Sequence, residues 1–133
     1  MKEELIQLKT EADIIHARRS GREMAKSLGF GSADQTRLAT AISEITRNAI
    51  QYGRGGTCIV SGSESRTERI IRITVEDQGP GIPDIDKAMQ DGYTTGHGLG
   101  AGLPGSRRLM HEFHIASGDW GTKVVMSMKQ RIF

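Results

Sequence analysis

Glu44 and Asn48 have the types and the spacing expected of a magnesium-nucleotide site. They are four positions apart, so on a helix both side chains project from one side, a turn from each other. A magnesium ion that carries a nucleotide needs few protein ligands, all of them oxygens, and one Asn carbonyl meets that need. A carboxylate one turn earlier can orient or deprotonate an attacking hydroxyl, as phosphoryl transfer requires. Taken alone, such a pair is more typical of the surface of an ordinary amphipathic helix.

Asp77 follows an apolar alternation and opens the turn Asp77-Gln78-Gly79-Pro80-Gly81. Because it continues the parity of Ile73 and Val75, its carboxylate is predicted to face the covered side of a sheet. An ionised Asp only accepts hydrogen bonds, so it can select adenine, whose exocyclic amine donates them, over guanine, which has a carbonyl there. Gly79 and Gly81 would allow a base to approach closely or the backbone to take a positive φ. The alternative is a turn-forming Asp without a ligand.

The segment Gly98-Leu99-Gly100-Ala101-Gly102, called here the lid segment, offers unhindered backbone N–H groups just before a predicted helix. A glycine-lined turn into a helix N-terminus is a natural place for phosphates. Gly100, Gly102 and Gly105 match a dinucleotide fingerprint, but no apolar strand precedes them, and the chain has no P-loop motif. The alternative is a glycine-rich loop that binds nothing.

These candidate residues need helices and strands to position them, and the sequence predicts both. Capping signals place one helix between Thr10 and Gly29 and the start of a second helix at Ser32. The second helix carries Glu44 and Asn48 on one flank of its apolar stripe. The other predicted elements are strands at 5–9, 57–60, 70–75, 113–116 and 123–128 and helices at 84–90 and 104–112. Strands paired by hairpins, with helices elsewhere in the sequence, predict an α+β fold, a two-layer sandwich.

Length and composition narrow the function classes. The chain has 133 residues, of which 36% are hydrophobic and 26% charged, and this fits a single domain over residues 1–133. The formal charge of only +2, from scattered basic residues, does not favour nucleic-acid binding. The one cysteine, Cys58, excludes an intramolecular disulfide. Neither a signal peptide nor a membrane span is indicated, so we expect a cytoplasmic protein without membrane contact.

Taken in order, these stretches resemble the nucleotide-binding fold shared by gyrase, Hsp90, histidine kinases and MutL, known as the GHKL or Bergerat fold. Glu44 and Asn48 match its N box, residues 77–81 its first glycine box and the lid segment its second. Gly121-Thr122 is similar to its final box, where the Thr hydroxyl lies close to the adenine-reading Asp. The resemblance implies a mixed, mostly antiparallel sheet with helices on one face, and ATP with Mg²⁺ bound between the two layers.

Within that family the chain looks most like the serine-protein kinases of the bacterial stressosome, relatives of the anti-sigma-factor kinases. The specific part of this likeness is the continuation Gly102-Leu103-Pro104-Gly105. It implies phosphorylation of a serine or threonine on STAS-domain antagonist or scaffold proteins. It also implies that the released kinase activates a downstream phosphatase or cyclase.

The resemblance assigns a role to each candidate residue. Glu44 would position or deprotonate the acceptor hydroxyl, Asn48 would hold magnesium, and Asp77 would read adenine. Thr122 would support that contact, and the lid segment would cover the phosphates. Two alternatives stay open from the sequence: an ATP-dependent regulator that binds partners without transferring phosphate, and the catalytic domain of a histidine kinase.

Overall fold

The computed structural model describes residues 2–82, 89 and 102–132. Within them the helices are α1 (Glu11–Leu28), α2 (Ser32–Gln51) and α3 (Gly102–Leu109). The strands are β1 (Lys2–Leu8), β2 (Gly56–Glu64), β3 (Glu68–Asp77), β4 (Glu112–Gly118) and β5 (Gly121–Arg131). The helix predicted at 84–90, and Gly98, Leu99, Gly100 and Ala101 of the lid segment, lie outside the described residues.

The strands form one sheet in the order β1-β2-β3-β5-β4. All pairings between the described strands are antiparallel, so the predicted α+β fold is confirmed, whereas the mixed sheet that the resemblance implied is not seen in this part of the chain. The central strand β3 pairs with β2 on one side and with β5 on the other. This register places Asp77, at the end of β3, between Gly56 and Thr122.

Helices α1 and α2 pack side by side over one face of the sheet. The alternation predicted for β3 is confirmed, because Ile73, Val75 and Asp77 are buried while Arg72 and Glu76 are exposed. The core between the two layers also contains Leu38, Ile42 and Ile45 from α2 and Val60, Met126 and Met128 from the neighbouring strands. A buried apolar face of this kind supplies most of the free energy that holds the two layers together.

The helix boundaries agree with the predicted ones for α1 and differ from them for α2 and α3. Helix α1 begins after Thr10, whose backbone N–H donates to Asp13 Oδ2 at 2.9 Å, and it ends at Gly29 with φ 97°. Helix α2 is capped by Gly31 rather than by Ser32, which is already helical. Helix α3 ends at Leu109, three residues before the predicted end, because residues from 112 onward pair with β5.

None of the helices in the described ranges has an apolar stretch long enough to cross a membrane.

Candidate nucleotide site

A cavity of about 410 Å³ opens between α2 and the ends of β3 and β5. Its polar side chains include Asn48, Asp77 and Thr122. Its walls are mainly apolar, formed by Ile45, Ala49, Val75, Ile82, Leu103 and Val124. Apolar walls with a few oriented polar groups are typical of sites for small organic ligands, and the flat face of a base would suit them.

Strand register explains why two of the predicted site residues meet in this cavity. Asp77 lies directly opposite Thr122 in the β3–β5 pairing, and Thr122 lies directly opposite Ser117 in the β4–β5 pairing. Directly opposed residues of antiparallel strands share a face of the sheet, so the three side chains form one row. Asp77 and Thr122 are only 7% and 9% exposed.

The Asp77 carboxylate is buried but keeps capacity to accept hydrogen bonds. The backbone N–H of Gly79 donates to its Oδ1 at 3.0 Å, and the backbone N–H of Thr122 also donates to the carboxylate. Burial raises the pKa of Asp77 above its ordinary value; the two hydrogen bonds oppose this shift, and the charge of Glu76 adds to it. An ionised carboxylate can accept about four hydrogen bonds. Two protein donors therefore leave room for a donor from a ligand.

Glycines allow the chain to pass close behind Asp77. A Cβ at Gly53 would lie 2.2 Å from Asp77 Cγ, and a Cβ at Gly79 would lie 2.5 Å from the Cα of Gly53. Gly81 has φ 82°, as the sequence analysis allowed. Gly53 was not predicted as a site residue, although its place just after α2 marked a break in the helical pattern.

Helix α2 directs Asn48 and Glu44 to different cavities. Asn48 lines the wall of the 410 Å³ cavity. Glu44 instead lines a cleft of about 720 Å³ between α1 and α2. The two residues are one helical turn apart, so the cleft and the cavity are lined by neighbouring turns of α2. Its side chain is 11% exposed, and its Oε1 lies 3.5 Å from Nη1 of Arg47.

The cleft between α1 and α2, called here the basic cleft, has a marked excess of positive charge. Its acidic members are Glu23 and Glu44. Its basic members are Arg18, Arg19, Arg22, Lys26 and Arg47. The four basic residues on α1 are all exposed, and so is Ile15 beside them, with 48% of its surface accessible.

The residues of the cavity fit a nucleotide with its metal ion. Asp77 and Thr122 supply polar groups at the sheet end, and the Asn48 amide oxygen is of the type that magnesium prefers. Gly102, the last residue of the lid segment, is the first residue of α3, so this segment does lead into a helix N-terminus. The first backbone N–H groups of a helix have no partner inside the helix and attract anions.

Comparison with known proteins agrees with this geometry. Residues 33–132 match the family described as "Histidine kinase-, DNA gyrase B-, and HSP90-like ATPase". The serine/threonine-protein kinase RsbT of Bacillus subtilis (strain 168) is 51% identical over 112 residues, which cover 84% of this chain and 84% of that protein. The anti-sigma F factor of Clostridium novyi (strain NT) is 35% identical over 100 residues, 71% of this chain and 70% of that one.

Two solved structures share the fold at lower identity. The RsbU and RsbW domains of a Mycobacterium tuberculosis protein match with a TM-score of 0.68 at 20% identity, covering 98% of this chain and 33% of that chain. The catalytic domain of the histidine kinase ThkA matches with a TM-score of 0.56 at 18% identity, covering 94% and 95%. The chain therefore belongs to the histidine kinase-, DNA gyrase B- and HSP90-like ATPases, and within them it is a serine/threonine-protein kinase of the RsbT type.

Proposed function

We propose that this kinase transfers the γ-phosphoryl group of ATP to a serine or threonine of a STAS-domain protein in the cytoplasm. The freed kinase would then activate a downstream phosphatase or cyclase. The observation that supports the proposal is the position of Glu44, whose carboxylate lines the open basic cleft one helical turn from Asn48 on the cavity wall. A carboxylate in this position can orient or deprotonate a hydroxyl that enters from the cleft while the nucleotide occupies the cavity.

Asp77 and Thr122 would hold the base. The Asp77 carboxylate would accept from the exocyclic amine of adenine, and the apolar side chains of the cavity walls would cover its faces. Asn48 would hold the magnesium ion through its side-chain oxygen. When bound with the phosphates, magnesium neutralises the charge that develops during phosphoryl transfer.

Glu44 would act on the acceptor hydroxyl. Its carboxylate takes the hydroxyl proton as the acceptor oxygen forms a bond to the γ-phosphorus. The bond from that phosphorus to the bridging oxygen of ADP breaks, and ADP leaves with the electron pair. The ion pair of Glu44 with Arg47 restrains the carboxylate on the cleft side of α2.

The basic cleft would dock the protein substrate. Its excess of positive charge suits an acidic surface, and complementary charge speeds encounter and selects partners. The exposed Ile15 adds an apolar contact beside the charged side chains. We therefore propose that a STAS-domain partner lays an acidic segment along α1 and presents its hydroxyl to Glu44.

Transfer of labelled phosphate tests the proposed function. The wild-type kinase is incubated with radiolabelled Mg-ATP and with the STAS-domain proteins encoded nearest to its own gene. We expect at least one of them to acquire label that survives acid, as phosphoserine and phosphothreonine do. Label that acid removes would indicate histidine phosphorylation. Absence of label despite ADP binding would instead favour a regulator that binds nucleotide without transferring phosphate.

Reversing one charge in the basic cleft tests the docking surface. We expect Arg22→Glu to raise the KM for the STAS-domain substrate about 10-fold, because an acidic partner now meets a like charge. The kcat and the ADP affinity should stay close to the wild-type values. Arg66→Glu, an equal charge change in the exposed turn between β2 and β3, is the matched control. Equal effects of the two substitutions on KM would show that docking depends on net charge and not on the cleft.

A further inference from the structure

Ser117 does not line the cavity, but its hydroxyl forms hydrogen bonds with three groups of the chain beside the cavity. It is the second-last residue of β4 and faces Thr122 across the β4–β5 pairing. Its Oγ accepts a hydrogen bond from the backbone N–H of Ile82 at 2.7 Å. The same oxygen lies 3.1 Å from the carbonyl oxygen of Gly121 and 2.8 Å from Thr122 Oγ1. Ile82 and Thr122 both line the cavity.

The available protons determine the direction of each of these hydrogen bonds. A serine hydroxyl has one proton to donate and two lone pairs that accept. The N–H of Ile82 uses one lone pair, and the Gly121 carbonyl, which has no proton, can only receive the proton of Ser117. The bond between the two hydroxyls must then use the proton of Thr122. If Ser117 donated to Thr122 instead, two acceptor oxygens would face each other at 3.1 Å with no proton between them.

This direction leaves the Thr122 hydroxyl as an acceptor toward the cavity. Its proton points to Ser117, so its free lone pair adjoins the Asp77 carboxylate, which is also an acceptor when ionised. Two neighbouring acceptors match the exocyclic amine of adenine, which carries two protons to donate. They disfavour the carbonyl that guanine and hypoxanthine carry at the same position, because neither acceptor offers it a proton.

Ser117 also fixes the loop that closes the cavity after β3. Its bond to Ile82 N–H holds this loop against the end of β4. The two backbones approach so closely there that a Cβ at Gly81 would lie 2.1 Å from the carbonyl oxygen of Gly118. The serine therefore couples the position of an apolar wall residue to the orientation of the Thr122 hydroxyl.

We propose that Ser117 is a positioning residue for base specificity, which holds the Thr122 hydroxyl as an acceptor and so favours an adenine amine over a purine carbonyl. This inference rests on the proposed nucleotide role of the cavity. Its signature is the ratio of the affinities for two nucleotides, which a purely structural role of Ser117 would leave unchanged.

Titration calorimetry with Mg-ADP and Mg-IDP measures that ratio, because the base of IDP has a carbonyl where adenine has the amine. We expect wild-type protein to prefer ADP. In Ser117→Ala the Thr122 hydroxyl is free to rotate and donate to the carbonyl, so the preference should fall about 10-fold. Ser117→Thr, which keeps the hydroxyl, should restore it. Ser127→Ala is the matched control, since this buried β5 serine donates to Glu112 and not to the network.

The outcomes separate this inference from the proposed function. Wild-type protein that binds neither nucleotide would overturn the nucleotide role of the cavity itself. Normal wild-type binding with an unchanged preference in Ser117→Ala would overturn only the role of Ser117. If circular dichroism shows Ser117→Ala unfolded, Ser117→Cys replaces it, because a thiol fills similar space but is a much weaker donor and acceptor. An unchanged ratio in that variant would count equally against the proposal.

Discussion

Replacing Asp77 with Asn is expected to weaken ADP binding about 30- to 700-fold while the protein stays folded. The Asn side chain has nearly the same shape, but its amide nitrogen donates where the carboxylate accepts. A charged hydrogen bond to the base is lost, and a buried donor is left facing the exocyclic amine. Together these effects correspond to about 2–4 kcal/mol of binding free energy.

The stability of the same variant is expected to respond differently. Burial raises the pKa of Asp77, so the folded protein favours the neutral carboxyl relative to the unfolded chain. Wild-type stability therefore gains as the pH falls through this raised pKa toward the ordinary Asp value of about 3.9. Asn is neutral at every pH and cannot show this gain. The neutral Asn side chain avoids the cost of burying a charge, but it loses one of the two backbone hydrogen bonds to Asp77. Because the two effects oppose each other, the free energy of unfolding of the variant should lie within about 1 kcal/mol of wild type at neutral pH.

Calorimetric titration with Mg-ADP and urea unfolding at several pH values measure both effects. Glu76→Gln is the matched control for ADP binding, since it removes an exposed carboxylate one residue away in the same strand. We expect this control to bind ADP within about twofold of wild type, less than 0.5 kcal/mol. Wild-type affinity in Asp77→Asn would show that the carboxylate does not contact the base.

Replacing Glu44 with Gln is expected to slow phosphoryl transfer about 10²- to 10⁴-fold, the usual contribution of a general base. The amide keeps the size of the side chain but cannot take the proton of the acceptor hydroxyl. ADP affinity should remain within about twofold of wild type, a change below 0.5 kcal/mol. The reason is that Glu44 lines the basic cleft whereas Asn48 lines the cavity.

Single-turnover transfer of labelled phosphate to a STAS-domain protein, together with ADP titration, tests this assignment. Glu23→Gln is the control, because Glu23 lines the same cleft on α1 and should leave the transfer rate unchanged. A full transfer rate in Glu44→Gln would rule out the carboxylate as the base. Loss of ADP binding in that variant would instead place Glu44 within the nucleotide site.

Together, Asp77→Asn and Glu44→Gln distinguish an effect on nucleotide affinity from an effect on the rate of phosphoryl transfer. Asp77 reports on the cavity at the sheet, and Glu44 reports on the entrance from the basic cleft. A protein that binds nucleotide through the first group and loses only transfer through the second would behave as a kinase. A protein in which both substitutions act only on binding would behave as a nucleotide-dependent regulator.

Local periodicity determined much of this protein in advance. The alternation of Ile73, Val75 and Asp77 predicted the buried carboxylate, and the cap signals at Thr10 and Gly29 predicted both ends of α1. These features depend on neighbours within a few residues, where backbone geometry repeats regularly. The same reasoning misplaced the cap of α2 by one residue. It also placed the end of α3 three residues too late, because that end depends on the pairing of β4 with β5.

Only the tertiary structure decided how the candidate residues are distributed around the site. The helical spacing of Glu44 and Asn48 placed them together, but the packing of α1 beside α2 assigned one to the basic cleft and the other to the cavity. The row formed by Asp77, Thr122 and Ser117 depends on the register of three strands that are distant in sequence. Register and helix packing arise from contacts across the whole chain, so local periodicity could not reveal them. Only the resemblance of residues 121–122 to the final box of the family implied that Thr122 lies close to Asp77, and it implied nothing about Ser117.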